Sequence, residues 1–356
     1  MSFLETTTSS RTWLPILGIL EDDPYRSRNT IAHAQSAYCA RLFRESTYLR
    51  SIGEGAVFQV YLYQHGSDFY AVKKAKPTSL EKSRTKNKDV NTGGIFSALK
   101  EIQVISNSSL QRHPNIVDIL GWDWGNDGVP VLFVEYAERS SLRDFLRENG
   151  ATTTTSEKRS FALDIACGLN ALHAADIAHG DIKLANTLIF PDTRGVGGLI
   201  AKVSDFSHSI FGISSRRSTT YPGSSLYNAP EVRTRDAIIP SDRLPKCESF
   251  SYGLLVWEII KNGETFFDPS WVSWSTDSET KPDVCGHLQT MKRDGIYDRA
   301  HKFLCHIGGE RERYHRALFY QVFDFTLRDD PKLRKDMHTI AIALDYCDRL
   351  VPNSRS

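Results

Sequence analysis

The stretch from His179 to Glu231 constrains this chain more than any other. It opens on His179-Gly-Asp-Ile-Lys-Leu-Ala-Asn186, continues to Ser204-Asp205-Phe206-Ser207, and closes on Ala229-Pro-Glu231. Asp181, Lys183, Asn186 and Asp205 therefore follow one another in a fixed order. An aspartate accepts a hydroxyl proton, and a lysine steadies a phosphate in transfer. An asparagine and a second aspartate offer the hard oxygens that Mg²⁺ prefers. One such string recurs by chance, whereas three in order seldom do. Phosphoryl transfer asks for this set, because it needs positioning and charge stabilisation more than covalent help.

The bulk numbers say what kind of molecule carries that stretch. A chain of 356 residues is long for one core and suits two lobes. With 40% hydrophobic and 24% charged residues it is globular and not disordered. A net charge of +1 gives no whole-chain field for nucleic acid or a membrane surface. The apolar run Trp13-Leu-Pro-Ile-Leu-Gly-Ile-Leu20 is too short to span a bilayer. No basic region stands at the very N-terminus, so no secretory signal is expected. The six cysteines (Cys39, Cys167, Cys247, Cys285, Cys305, Cys347) show no Cys-x-x-Cys spacing. They read as free thiols in a reducing compartment, here the cytoplasm. Nothing in the sequence sets the oligomeric state.

Along the chain, residues 1–46 form an N-terminal extension. Within it, Asn29 to Phe43 reads either as a helix packed on the following lobe or as a loosely ordered tail. Residues 47–74 alternate apolar and polar types, rich in β-branched and aromatic residues, and read as three strands. Residues 75–94 are polar, with Lys76, Lys82, Arg84, Lys86 and Lys88: a solvated connection first, a basic docking loop second. Phe96, Leu99, Ile102 and Ile105 suggest the apolar face of a helix over 95–106. Strands are expected at Ile116–Trp124 and Val129–Tyr136. Helices dominate from Ser141 onward. Thr154 and Glu157 are spaced for a capping box, and Phe161, Ile165, Leu169 and Leu172 line one face behind it. Glu248 to Ile260 reads as a buried helix, 262–312 as an irregular insertion carrying Trp271 and Trp274, and Arg313 to Leu350 as largely helical.

Ile52-Gly53-Glu54-Gly55-Ala56-Val57-Phe58-Gln59-Val60 reads as strand, glycine turn, strand. Tyr70-Ala-Val-Lys73, Ala98-Leu-Lys-Glu101, His113-Pro-Asn-Ile-Val117 and Leu132-Phe-Val-Glu135-Tyr136 follow in order. Together with the run from His179, this series resembles the eukaryotic protein kinase family, serine/threonine type. The resemblance implies an α+β, bilobal fold: a small antiparallel-sheet lobe with one main helix, and a larger, mostly helical lobe. It implies a kinase domain over 47–350, divided into 47–137 (small lobe and hinge) and 138–350, with a tail at 351–356.

The same resemblance implies site residues. Asp181 would be the base for the substrate hydroxyl, with Lys183 beside it marking the serine/threonine branch. Lys73 would grip the α- and β-phosphates of ATP, paired with Glu101. Ile52, Gly53, Gly55, Val60, Ala71, Lys73, Val134, Glu135, Tyr136 and Ala137 would surround the nucleotide, and Asn186 and Asp205 would hold Mg²⁺. Phe206 would pack under the small-lobe helix, and Glu231 and Arg334 would form a structural ion pair. Protein serine and threonine hydroxyls would be the substrates.

Four departures from the family pattern stand out. Phe58 replaces the third glycine of the turn, where a large ring would cover the phosphates or restrict the loop and weaken nucleotide binding. Gly180 replaces an arginine that normally binds a phosphate on the activation segment, so phosphorylation there is not expected to be the main switch. Ser207 replaces a glycine, which would bias the turn after Asp205. Glu248 replaces an aspartate, with enough reach to accept backbone N–H bonds from the catalytic loop. These departures keep open an alternative: a pseudokinase scaffold with weak nucleotide binding or none. The hydroxyl-rich loop of Ser214, Ser215, Ser218, Thr219, Thr220 and Tyr221, beside Arg216 and Arg217, is a candidate for phosphorylation. Gly223 to Tyr227 is similar to the family's substrate-docking stretch.

Overall fold

The computed structural model describes residues 45–55, 57–76, 92–124, 130–192, 198–234, 237–271, 284–306 and 313–346. The expected features at 29–43, at the basic residues from Lys82 to Lys88, and at Cys39, Cys347 and Trp274 lie outside the described residues. So does the side chain of Ile105. The chain divides into two compact units, residues 1–102 with 118–136 and residues 103–117 with 137–356.

The first unit is built on five strands: β1 (Thr47–Glu54), β2 (Phe58–His65), β3 (Asp68–Ala75), β4 (Ile119–Trp124) and β5 (Pro130–Glu135). They form one antiparallel sheet in the order β1-β2-β3-β5-β4. Successive side chains on a strand point to opposite faces, and the sequence exploits this. Tyr70, Val72, Val131 and Phe133 bury together on one face. Phe58, Ala75 and Leu132 bury on the other, with Ala98 and Ile102 of the helix α1 (Thr92–Ser106).

The buried face of α1 keeps part of what the spacing suggested, Ile102 with Leu99 packed beside it, but not Phe96. Phe96 is 49% exposed, while Ala98, Glu101 and Ile102 are buried. A three-residue spacing drifts around a helix by about 60° per step, so four such residues cannot share one narrow face. Residues four apart can, as Ala98 and Ile102 do.

The second unit is mainly helical. Its helices are α2 (Leu142–Asn149), α3 (Thr155–Ala174), α4 (Leu244–Ile260), α5 (Val284–Thr290), α6 (Gly295–Cys305), α7 (Arg313–Thr326) and α8 (Met337–Tyr346). Thr154 and Glu157 make the expected capping box on α3: the Glu157 N–H reaches the Thr154 hydroxyl at 3.2 Å, and the Thr154 N–H reaches the Glu157 carboxylate at 2.7 Å. Phe161, Ile165, Leu169 and Leu172 are all buried along α3. α4 is buried nearly all round, as befits a helix at the middle of a core.

Part of the 262–312 region is regular, contrary to expectation. α5 and α6 lie within it, and α6 buries Ile296, Ala300 and Leu304 at four-residue intervals. The intervening polar residues hid that period.

Short elements complete this unit. A hairpin of β7 (Thr187–Asp192) and β8 (Gly198–Val203) follows a two-residue strand β6 (Ile177–Ala178), which pairs with β9 (Ile210–Phe211). β10 (Ser218–Thr220) pairs with β11 (Ile238–Pro240). Cys167, Cys247, Cys285 and Cys305 are free thiols. No helix among the described residues is long and apolar enough to cross a membrane.

Candidate active site

Strand register brings the first group of expected site residues onto one face of the five-stranded sheet. Val60 stands opposite Lys73, Ala71 opposite Val134, and Lys73 opposite Leu132. Gly53 pairs with Val60 at the end of β1. Ile52 sits at an irregularity beside it, half-buried. Lys74 alternates to the other face and is half-buried. The Lys73 ammonium donates to both oxygens of Glu101, at 2.6 and 2.7 Å. That contact settles the phase of α1: Glu101 is 1% exposed and faces the sheet.

Phe58 does not cover the glycine turn. Its ring is 4% exposed, turned into the core beside Ala98 and Ile102, with the Lys73 ammonium 4.8 Å from the ring centre. A Cβ built on Gly53 or Gly55 would meet only ordinary contacts, at 3.8 Å or more. Among the described residues nothing demands glycine at either position. A phosphate approaching the bare backbone would demand it, so these residues fit a bound nucleotide. At the end of β5, Val134 is buried and Glu135 and Tyr136 are half-buried. The Glu135 N–H is engaged with the Asp118 carbonyl at 3.1 Å. Ala137, at the start of the second unit, is buried and accepts the Ser140 N–H at 3.2 Å.

The second group lies within the helical unit, around Asp181. The Lys183 ammonium and the Asn186 amide donate to Asp181 Oδ2, at 2.6 and 3.0 Å. The Ser224 hydroxyl donates to Oδ1 at 2.6 Å, and itself accepts from Lys183 at 3.0 Å. Burial alone would raise the Asp181 pKa, but the hydrogen bonds from Lys183 and Ser224 outweigh it and hold the carboxyl below its ordinary value. Asp181 is therefore an ionised carboxylate at neutral pH, held in one orientation by its three donors.

Backbone bonds brace this carboxylate. The Asp181 N–H donates to His179 Nδ1 at 3.2 Å, which leaves Nε2 to donate to the Ser204 carbonyl at 2.9 Å. The Ser204 N–H and hydroxyl both reach the Asn186 carbonyl at 2.9 Å. The loop of Asn186 and the turn of Asp205 are thus tied together at the end of the β7–β8 hairpin. Because the Asn186 Nδ2 is held by the Asp181 carbonyl at 2.8 Å as well as by its carboxylate, its Oδ1 is turned away from Asp181.

An amide oxygen and a carboxylate suit Mg²⁺, which takes few protein ligands and keeps water or phosphate for the rest. Among the described residues no three His, Cys, Asp or Glu side chains gather as a denser metal centre.

The departures from the family pattern are accommodated locally. Gly180 has φ +82°, and a Cβ there would lie 2.3 Å from the His208 carbonyl. Ser207 causes no backbone strain here, because the left-handed residue of the turn is Asp205, at φ +65°. Phe206 is buried in this unit, with its ring 5.5 Å from that of His179. Glu248 is fully buried; its Oε1 accepts the Gly180 N–H at 2.6 Å, and its Oε2 meets His173 Nε2 at 2.6 Å. Burial is the largest single influence and opposes its charge, but the His173 bond and charge, His179 and the Gly180 N–H together outweigh it and lower the pKa.

Arg334 and Glu231 form a bidentate pair, at 2.7 and 2.9 Å, with no exposed arginine side-chain surface. Tyr221 is buried, which removes it from the surface hydroxyls that a modifying enzyme reaches; Ser214, Ser215, Ser218 and Thr220 are exposed.

Two contacts escaped the sequence reading. Ser224 grips both Asp181 and Lys183, and His173 completes the Glu248 bridge. Neither has a spacing signal, since their partners lie 43 and 75 residues away.

The sequence model of the protein kinase domain matches residues 46–340. The chain belongs to the protein kinase family. It is similar to a probable serine/threonine-protein kinase of Dictyostelium discoideum, at 30% identity over 61% of this chain and 19% of that one. It is also similar to Wee1-like protein kinase 1-A of Xenopus laevis, at 28% identity over 67% of this chain and 41% of that one. A serine/threonine-protein kinase-like protein of Arabidopsis thaliana is 29% identical over 69% of this chain and 62% of that one. The chain thus spans from about a fifth to about three fifths of these relatives. In this kinase domain the five groups Lys73, Glu101, Asp181, Asn186 and Asp205 are all present, and the sheet and helical units have the composition that the family resemblance implied.

Proposed function

We propose that this protein is a serine/threonine kinase that transfers the γ-phosphate of ATP, with Mg²⁺, to hydroxyls of protein substrates in cytoplasmic signalling. In this reading the kinase domain spans 47–350, with its small lobe and hinge at 47–137. The observation that supports transfer most directly is the Asp181 cluster. Its carboxylate is buried, ionised and aimed by Lys183, Asn186 and Ser224.

In this reading Asp181 accepts a hydrogen bond from the substrate hydroxyl and sets its direction of attack. Lys183 balances the charge beside it. Lys73, steadied by Glu101, contacts the α- and β-phosphates, and Gly53 and Gly55 let backbone N–H groups approach them. Val60, Ala71 and Val134 offer an apolar face for the adenine. Asn186 Oδ1 and the Asp205 carboxylate would hold Mg²⁺, which supplies neutralisation of phosphoryl charge. The four cysteines among the described residues are free thiols, which fits a reducing compartment.

Purified protein incubated with γ-labelled ATP, Mg²⁺ and a generic basic protein substrate tests this, beside Asp181→Asn. Label on serine or threonine is expected, with kcat about 10²–10⁴-fold lower in the variant. No label from the native protein, with nucleotide still bound, would replace this reading with the scaffold.

A further inference from the structure

We propose that Phe58 is a positioning residue for nucleotide binding: its ring seats the Lys73 ammonium against Glu101 and ties the glycine turn to α1. The inference rests on the reading of Lys73 as a phosphate-contacting group. It concerns the position at which this chain departs most visibly from the family pattern.

The geometry has three parts. Phe58 stands opposite Ala75 and Val60 opposite Lys73, so Phe58 and Lys73 are diagonal neighbours on one sheet face. The ring enters a space left by small residues, Ala75 at 2% and Ala98 at 0% exposure, with Ile102 and Leu132 closing it. The ammonium that donates to both Glu101 oxygens also lies 4.8 Å from the ring centre. A cation held between a carboxylate and an aromatic face has little freedom left. Lys73 is thereby set in place before any phosphate arrives, so binding does not have to order it.

The backbone of the same residue anchors the turn. The Gly55 N–H donates to the Phe58 carbonyl at 2.8 Å, and the Lys76 N–H to the neighbouring Val57 carbonyl at 2.8 Å. A buried ring on Phe58 therefore fixes the end of the glycine turn to the same core that holds the inner face of α1. Glycine at this position has no side chain with which to make either connection.

The test is a double-mutant cycle on the full chain, using Phe58→Leu and Lys73→Met, with MgADP affinity measured by calorimetry. Leucine keeps an apolar filling of the space but has no ring face. Phe58→Leu is expected to weaken MgADP binding by about 3- to 30-fold, the range of a partly desolvated cation–ring contact. In the Lys73→Met background the same change is expected to have little further effect. Equal losses in both backgrounds would show that Phe58 acts by general packing, and would overturn the inference. Unchanged affinity in Phe58→Leu would overturn it too. If Lys73→Met alone left MgADP affinity intact, the reading of Lys73 would fail, and the inference with it; the single variants separate these cases. Phe58→Met, which fills the space flexibly, takes the same place in the cycle should the leucine variant not fold.

Discussion

The Lys73–Glu101 pair and the Asp181 cluster are both buried ionic sites, but they are held in different ways. In the small unit one salt bridge spans 28 residues of sequence, from a strand to a helix, with the Phe58 ring beside it. In the large unit Asp181 takes bonds from Lys183, Asn186 and Ser224. Its loop is fastened further through His179, Ser204 and Glu248. Most of these partners are near in sequence or bind backbone atoms. The first arrangement concentrates its order in one long-range contact, and the second distributes it. A distributed site should tolerate the loss of one member better than a concentrated one.

The strongest way to break that comparison is to remove one carboxylate from each unit. Glu101→Ala and Glu231→Ala each leave a buried cation without its carboxylate, and each should cost about 3–5 kcal/mol in urea unfolding. Only Glu101→Ala should also weaken MgADP binding, as read by calorimetry. Equal nucleotide affinity in the two variants would contradict the assignment of Lys73.

Acid should act next most strongly, through the large unit. Asp181, Glu231 and Glu248 all have lowered folded pKa values; burial is the largest single influence and opposes the shift in each, and the combined hydrogen bonds and charges, led by Lys183 and Ser224, by Arg334 and by His173 respectively, prevail. A carboxylate with a lowered folded pKa stabilises the fold above its unfolded value of about 4. That contribution is lost as the pH falls through the lowered folded value. The melting temperature should therefore drop progressively as the pH falls below about 4, and less steeply in Glu231→Ala. An identical acid profile in that variant would remove Glu231 from the account.

Smaller effects sharpen the contrast. Ser224→Ala removes one of the three donors to the Asp181 carboxylate, and should lower kcat by up to about tenfold, the net worth of an ordinary hydrogen bond. A collapse of activity would mean that the cluster is concentrated after all. Thr154→Ala breaks the capping box of α3, and should cost about 1 kcal/mol with kcat unchanged.

The local chemistry of the site was readable because its residues act over short spans. The run from His179 to Asn186 presents its side chains from a single loop, and the strand register around Lys73 shows which face it shares with Val60 and Val134. On α1 the spacing was right for Leu99 and Ile102 but wrong for Phe96, which lies a further step of drift away and is exposed. The helices α5 and α6 were missed because polar residues interrupt a four-residue period.

By itself the sequence carried the ordered motifs whose resemblance implied the family and the five candidate site residues, and its local spacing marked the strands and most of the helices. Motifs and spacing are local, so neither depends on distant partners. Only the tertiary structure decided that Ser224 grips Asp181, that Glu248 bridges His173 to the Gly180 N–H, that Tyr221 is buried and that Phe58 turns inward to Lys73. Each of those depends on which atoms fill a space between segments far apart in the chain. Packing density and hydrogen-bond satisfaction settle that together, and no single segment encodes it.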